Sequence, residues 1–330
     1  MATKLISRPS NDLFALHSAA AARRLLWPEL HAPGIGIIGS GKLGSALAQG
    51  LLRNEYPKES ICVSCRGSPS TLASLARIGL HPRHEDNHNP DDNTLGNVTT
   101  NNQDLARRSK VILLCLRAQD IGAIHGLRLQ EGTAVMSFVP GISLRTLQDA
   151  LGQKEGIFVG QTCGPDTILE RRAMATMYPT RSENPTPQER TLRHVLGDRL
   201  GMELMPLPEG REDLVNVFTA GMCLGPAFLV CDKMGVKHSE EVDAAALSKE
   251  FAPFDFGRLY RWAMKVRPRI QDEKEIDRWI RNHCTEGGVT ESIVRRIEAG
   301  GSLVEGLKAG IQRGIELGAG CSGEQQFMKA

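Results

Sequence analysis

Apolar and polar positions divide the chain into two regimes. In the first, short apolar runs at residues 35–38, 61–64, 111–116, 135–139, 157–161 and 175–178 recur between longer mixed stretches. Runs this short, without polar alternation, predict strands buried on both faces. Between them Leu43, Ala46, Leu47 and Leu51, then Leu72, Leu75 and Ile78, fall at helical spacing, and residues 104–110 predict a short helical turn. Strands alternating with helices predict an α/β fold built on a parallel, doubly wound sheet. The second regime begins near Arg211, after which no strand-like run follows. The apolar stretch 214–234 is too long for a strand and predicts a buried helix kinked at Gly225-Pro226. Residues 238–282 predict charged amphipathic helices, and 290–297 and 303–317 two final helices. We therefore expect an extension over 1–32, an α/β domain over 33–183 and an all-α domain over 184–330.

Two stretches stand apart. Between residues 12 and 30, Leu13, Leu16, Ala20, Leu25 and Leu26 share one side of a helix, with Arg23 and Arg24 and few acids nearby. A helix packed on the folded body is the preferred reading, and a mitochondrial presequence the alternative. Residues 81–97 are polar and loop-like. No regular element fixes the spacing of His81, His84 and His88, so a solvated insertion is expected rather than a metal site.

Composition narrows the partners. Forty Lys plus Arg against 38 Asp plus Glu leave no field that points to nucleic acid or an anionic membrane. No apolar run reaches bilayer length. The eight cysteines form no paired framework, which fits a reducing compartment and a cytoplasmic location. Cys62-Val63-Ser64-Cys65 lies in a predicted strand, where residues three apart face opposite ways, so both read as packing residues and no metal is expected.

The candidate chemistry begins with Gly39-Ser40-Gly41-Lys42-Leu43-Gly44, between the first strand and its helix. Strand, G-x-G-x-x-G turn and helix come in the order that dinucleotide binding requires. Gly39 serves the tight turn, Gly41 the approach of the pyrophosphate, and Gly44 the close packing of helix on strand. The anion would rest on the free N–H groups of the helix start. After the second strand, where an NAD site places an acid, the chain has Arg66 and Ser68. A guanidinium fork suits a 2′-phosphate, so NADP(H) is the expected cofactor. Further on, Asn282-His283-Cys284-Thr285-Glu286-Gly287-Gly288-Val289-Thr290 precedes a helix. Its glycines allow a concave set of N–H donors for a substrate carboxylate. Thr290 is either a ligand-facing hydroxyl or a plain N-cap.

These blocks resemble the pyrroline-5-carboxylate reductase family, which makes proline. That family opens with a sequence like Ile-Gly-Phe-Ile-Gly-Ala-Gly-Asn-Met-Ala. Its Val-Lys-Pro-Gln is matched by Leu116-Arg117-Ala118-Gln119, and its Ser-x-x-Ala-Gly-Ile-Ser by residues 137–143 with Pro140 for Ala. Its Thr-Ala-Leu-Ser-Gly-Ser-Gly-Pro-Ala-Tyr is matched by residues 219–228, and its Ser-Pro-Gly-Gly-Thr-Thr by residues 285–290. Glu298-Ala299-Gly300-Gly301 and Ile311-Gln312-Arg313-Gly314-Ile315-Glu316-Leu317 run in register too. The match covers roughly residues 33–320.

The resemblance implies a Rossmann-like NADP-binding domain, a helical dimerisation domain and a site shared between two chains of a homodimer. Asn102, Arg66 and Ser68 would lie near the adenosine ribose and its phosphate. Leu116, Arg117, Pro140 and Gly141 would line the nicotinamide side. Asn282 with Thr285, Glu286, Gly287, Gly288, Val289 and Thr290 would hold the substrate end, Thr290's counterpart bonding the ring nitrogen. The implied reaction is hydride transfer to the C=N bond of a cyclic imine that enters as its iminium, so positioning matters more than a strong acid.

Departures cluster near the substrate. Ser-Gly-Ser becomes Met222-Cys223-Leu224, Met-Pro-Asn-Thr becomes Gly164-Pro165-Asp166-Thr167, and the Pro before Gly-Gly becomes Glu286. A second carboxylate about 6 Å from Glu286 would be repelled by roughly 3 kcal/mol at an effective dielectric near 20. Two alternatives follow: an NADP-binding regulatory protein with weak or no catalysis, and a carbonyl reductase of the 3-hydroxyacid dehydrogenase kind. The latter wants a lysine on the long helix, where only Lys233 is available and lies late.

Overall fold

The computed structural model describes residues 33–82, 96–181 and 183–321. The expected helix within 1–32, His84 and His88 lie outside the described residues. Each predicted apolar run forms a strand, and the strands are β1 (Ile35–Ile38), β2 (Ile61–Ser64), β3 (Val98–Thr99), β4 (Val111–Leu114), β5 (Ala134–Ser137), β6 (Ile157–Val159), β7 (Met174–Thr180) and β8 (Glu203–Pro208). They join in one sheet of order β3-β2-β1-β4-β5-β6-β7-β8. The first six are parallel, β7 runs against β6, and β8 is parallel to β7. The order 3-2-1-4-5-6 is that of a doubly wound dinucleotide-binding sheet, with its switch point between β1 and β4. The crevice therefore opens beyond Ile38 and Leu114.

Two strands had no clear signal. β3 has only two residues. Asn97 before it donates its side-chain N–H to the carbonyls of Lys58 (2.7 Å) and Ile61 (3.0 Å), tying the chain to the sheet edge. β8 alternates exposed and buried positions and contains Pro206 and Pro208, which an edge strand tolerates. It carries the sheet past residue 183 to Pro208, so the helical part begins later than expected.

The helices are α1 (Lys42–Arg53), α2 (Pro69–Arg77), α3 (Asn102–Arg108), α4 (Leu144–Leu151), α5 (Pro165–Leu169), α6 (Pro187–Arg193), α7 (Asp213–Gly221), α8 (Leu224–Met234), α9 (Ala245–Glu250), α10 (Phe256–Val266), α11 (Glu273–His283), α12 (Val289–Glu298) and α13 (Leu303–Cys321). The long apolar stretch is broken at Met222-Cys223, between α7 and α8, with a bend of 48°. This corrects the expected kink at Gly225-Pro226. Pro226 falls in the first turn of α8, where its missing N–H has no intrahelical partner to lose. Gly221 ends α7 against α10, and a Cβ there would lie 2.1 Å from Leu259 Cδ2. Gly306 and Gly310 of α13 face Ile297 and Ile293 of α12 in the same close manner. Phe218, Phe228 and Phe256 are wholly buried at the centre of this helical layer. Among the described residues no single helix is long and apolar enough to cross a membrane.

Candidate functional site

The glycine turn has the three geometries its spacing predicts. Gly39 has φ +103°, a Cβ on it would lie 2.5 Å from the Cys115 carbonyl oxygen, and its N–H donates to Ser64 O at 3.2 Å. The turn is thus threaded between the ends of β2 and β4. Gly44 packs so closely that a Cβ would lie 1.9 Å from Gly39 O. Gly41 is the opposite case: it is exposed, and nothing stands within 4 Å of an added Cβ. It is also the N-cap of α1 and brings no side-chain bond to the helix start. Ser40 O accepts from Ser45 Oγ at 3.0 Å, Lys42 is exposed and Leu43 half-buried. Space and unspent N–H groups therefore coincide at the α1 N-terminus, which suits a pyrophosphate.

Beside it, Arg66 Nη2 pairs with Asp120 Oδ2 at 2.6 Å while its side chain is 81% exposed. Ser68 caps α2 by accepting from Thr71 N at 3.3 Å. Asn102 bridges two elements. Its Oδ1 accepts from Ser64 Oγ, and its Nδ2 donates to Ala123 O at 2.9 Å. Its amide fixes β2 against the turn after β4, a job the sequence reading had not given it. Leu116 is half-buried, with its backbone N 3.2 Å from a Cβ on Gly39, and Arg117 is exposed at the head of the 3-10 turn Ala118–Ile124. Pro140 is exposed. Gly141 has φ +76°, and a Cβ there would lie 2.9 Å from Gly318 Cα of α13.

A cavity of about 300 Å³ lies beyond the carboxyl ends of β5 and β6, between α7 and α13. Gly141, Gln161, Glu212, Asp213, Asn216 and Thr219 are among its walls, and no lysine or arginine is among its described lining residues. Asp213 is bound by Arg211 through two bonds of 2.9 Å, which hold its carboxyl below the usual range. Glu212 Oε1 accepts from Leu144 N at 2.7 Å, joining α7 to the start of α4. Of these six only Gly141 was expected. Thr219 and Asn216 share a face of α7 at helical spacing, a signal visible in the sequence but read there as core.

The 282–290 segment is arranged differently from expectation. Asn282 is exposed in the last turn of α11, and Thr285, Glu286 and Gly287 are exposed in the loop. Gly288, not Thr290, is the N-cap of α12. Val289 and Thr290 are its first two residues, both half-buried. Thr290 Oγ1 lies 3.2 Å from Cys223 Sγ, at the α7–α8 break. Burial pushes the Cys223 thiol up to about 11, against the lowering effect of the Thr290 hydroxyl. The two glycine N–H groups of the loop are already engaged. Gly287 N–H donates to Glu291 Oε2 at 2.6 Å, and Gly288 N–H to Thr285 O at 2.8 Å. None of residues 282–290 lines the cavity. Leu224 is 1% exposed and belongs to the core, not to a ligand wall, while Met222 is half-buried at the break. Of the residues expected on the cofactor side, 39–44, Leu116 and Arg117 stand at the β1–β4 crest, while Gly141 belongs to the cavity wall. The 282–290 segment is linked to that wall through Thr290, Cys223 and Thr219.

A family model described as NADP oxidoreductase, coenzyme F420-dependent, matches residues 34–141. The chain is 26% identical over 199 residues to a pyrroline-5-carboxylate reductase of Methanosarcina acetivorans, covering 59% of this chain and 65% of that protein. It is 25% identical over 159 residues to pyrroline-5-carboxylate reductase 1 of Dictyostelium discoideum, covering 47% of this chain and 25% of that one. The aligned segment thus spans less than two thirds of either relative. A pyrroline-5-carboxylate reductase structure from Coxiella burnetii shares the fold at a TM-score of 0.52 and 19% identity, over 87% of this chain and 99% of the other. The Plasmodium falciparum structure, with NADP bound, does so at 0.50 and 15% identity, over 88% and 99%. In sheet order, glycine turn and these matches, the chain resembles the pyrroline-5-carboxylate reductases.

Proposed function

We propose that the protein is an NADPH-dependent reductase of the C=N bond of a cyclic imine, pyrroline-5-carboxylate or a related ring. The observation that carries this reading is the open, uncapped start of α1 beside Gly41, at the switch point of the sheet. Gly39, Ser40, Gly41, Lys42, Leu43 and Gly44 would hold the pyrophosphate. Arg66 would take the 2′-phosphate, and Leu116, Arg117, Pro140 and Gly141 would flank the nicotinamide. When bound, NADPH supplies the hydride. The chain's own part is to place the ring in the cavity next to Gly141. Glu212 there favours a protonated ring, and Gln161, Asn216 and Thr219 offer polar groups that orient it. Alignment of this kind lowers a barrier by about 7–11 kcal/mol, so no strong acid is required. Homodimerisation through the C-terminal helices and a cytoplasmic location belong to the same reading.

A second reading, an NADP-binding regulatory protein, draws support from the spent glycine loop and its distance from the cavity. Calorimetric titration with NADPH and NADH, followed by NADPH oxidation with pyrroline-5-carboxylate, 1-pyrroline and a six-membered imine, separates the two. Tight NADPH binding with turnover of at least one ring supports the reductase. Tight binding without turnover on any ring supports the second reading, and the absence of NADPH binding overturns both.

A further inference from the structure

We infer that Glu291 is a built-in anion that closes the glycine loop to ligand carboxylates, so that the ring this protein takes is a cyclic iminium bearing no carboxylate. The inference rests on the cyclic-imine reading above and narrows its substrate.

The loop stands at the N-terminus of the ten-residue helix α12, where positive potential and glycine N–H groups would attract an anion. That anion is already supplied from within. Glu291 Oε2 accepts the Gly287 N–H at 2.6 Å, at the short end for an N–H bond to a carboxylate. Its other oxygen, Oε1, accepts from Arg295 Nη2 at 2.7 Å, so the carboxylate is held from both ends. The Glu291 side chain is 23% exposed against 72% for Arg295, which places the acid inward and the base outward. The loop itself is pinned to α13, because Arg313 Nε donates to Gly287 O at 2.7 Å. Gly288 N–H is committed to Thr285 O. A ligand carboxylate could take the Gly287 N–H only by expelling Glu291 and then sitting beside it and Glu286.

The cavity gives an independent reason. Its described walls carry Glu212 and Asp213 and no cationic side chain. Asp213 is matched by Arg211, which leaves Glu212 as the wall's net charge. A ring cation gains from that charge and a ring carboxylate loses. Repulsion placed against one of two similar ligands is a way of setting specificity.

The test uses the full chain loaded with NADP. Pyrrolidine and L-proline share a ring and differ by the carboxylate, and calorimetry compares them without any need for turnover. Kinetics with 1-pyrroline and pyrroline-5-carboxylate run in parallel. The native chain is expected to favour pyrrolidine by about tenfold or more, because a carboxylate must displace Glu291 from the Gly287 N–H and face Glu212 without a cationic partner. Glu291→Ala is expected to narrow that ratio by gaining affinity for proline. Glu291→Gln, which keeps an acceptor for Gly287 without the charge, is expected to fall between. Equal or tighter binding of proline by the native chain overturns the inference. So does binding of neither ring, or a parallel loss of both in Glu291→Ala, which marks a merely structural role. If pyrrolidine is preferred yet neither imine is reduced, the reductase reading fails while the ligand preference stands.

Discussion

Gly41 and Gly44 stand three residues apart and call for opposite outcomes. Around Gly41 a methyl group meets nothing in the protein, whereas at Gly44 it meets the Gly39 carbonyl. Gly41→Ala is therefore expected to leave the thermal midpoint unchanged and to weaken NADPH binding by roughly tenfold, because the added group occupies space meant for the pyrophosphate. Gly44→Ala is expected to cost about 1–3 kcal/mol or more by overpacking, read from the denaturant midpoint. Arg66→Ala is expected to lower affinity for NADPH by about 10–100-fold, the value of a hydrogen bond to a charged group, and to leave NADH affinity nearly unchanged. The glycine turn was legible in the sequence because each glycine answers to a neighbour a few residues away. The fate of the Gly287 N–H was not. It depends on Glu291 reaching back four residues, and that reach exists only once loop and helix are formed.

The break between α7 and α8 shows how an element can be located well and divided wrongly. The apolar stretch announced a buried helix, and Pro226 drew the expected kink to itself. Proline in a first turn gives up no hydrogen bond, and the chain bends at Met222-Cys223 instead. Pro226→Ala is accordingly expected to shift stability by no more than about 0.5 kcal/mol in denaturant unfolding, as for a substitution that breaks no feature. Gly221→Ala, which drives a methyl into Leu259, is expected to cost about 1–3 kcal/mol in the same assay. Strands β1, β2, β4, β5, β6 and β7 were legible because burial on both faces writes them as unbroken apolar runs. β8 was not, since an edge strand with one face in water alternates and admits two prolines. The polar lining of the cavity went unread, because Asn216 and Thr219 sit within a long apolar stretch that reads as a buried helix.

For the molecule as a whole, acid sensitivity can be assigned a sign. Arg211 holds the Asp213 carboxyl low, and the Ser302 N–H with Arg296 does so for Glu305. A depressed carboxyl contributes stability that is complete above its unfolded value, near about 4, and is lost as pH falls through its folded value. Thermal midpoints followed from pH 7 to pH 2 are expected to drop below about pH 4, with a flatter acid limb in Asp213→Asn.

The far wall of the cavity comes from Ile315 and Gly318, whereas the glycine turn is complete by Gly44. During synthesis the nucleotide crest is therefore laid down long before the pocket has a roof. On the reading proposed above, a nascent chain in which α13 has not docked would leave the reactive ring open to water on that side. The last helix to emerge is thus the one that completes the cavity.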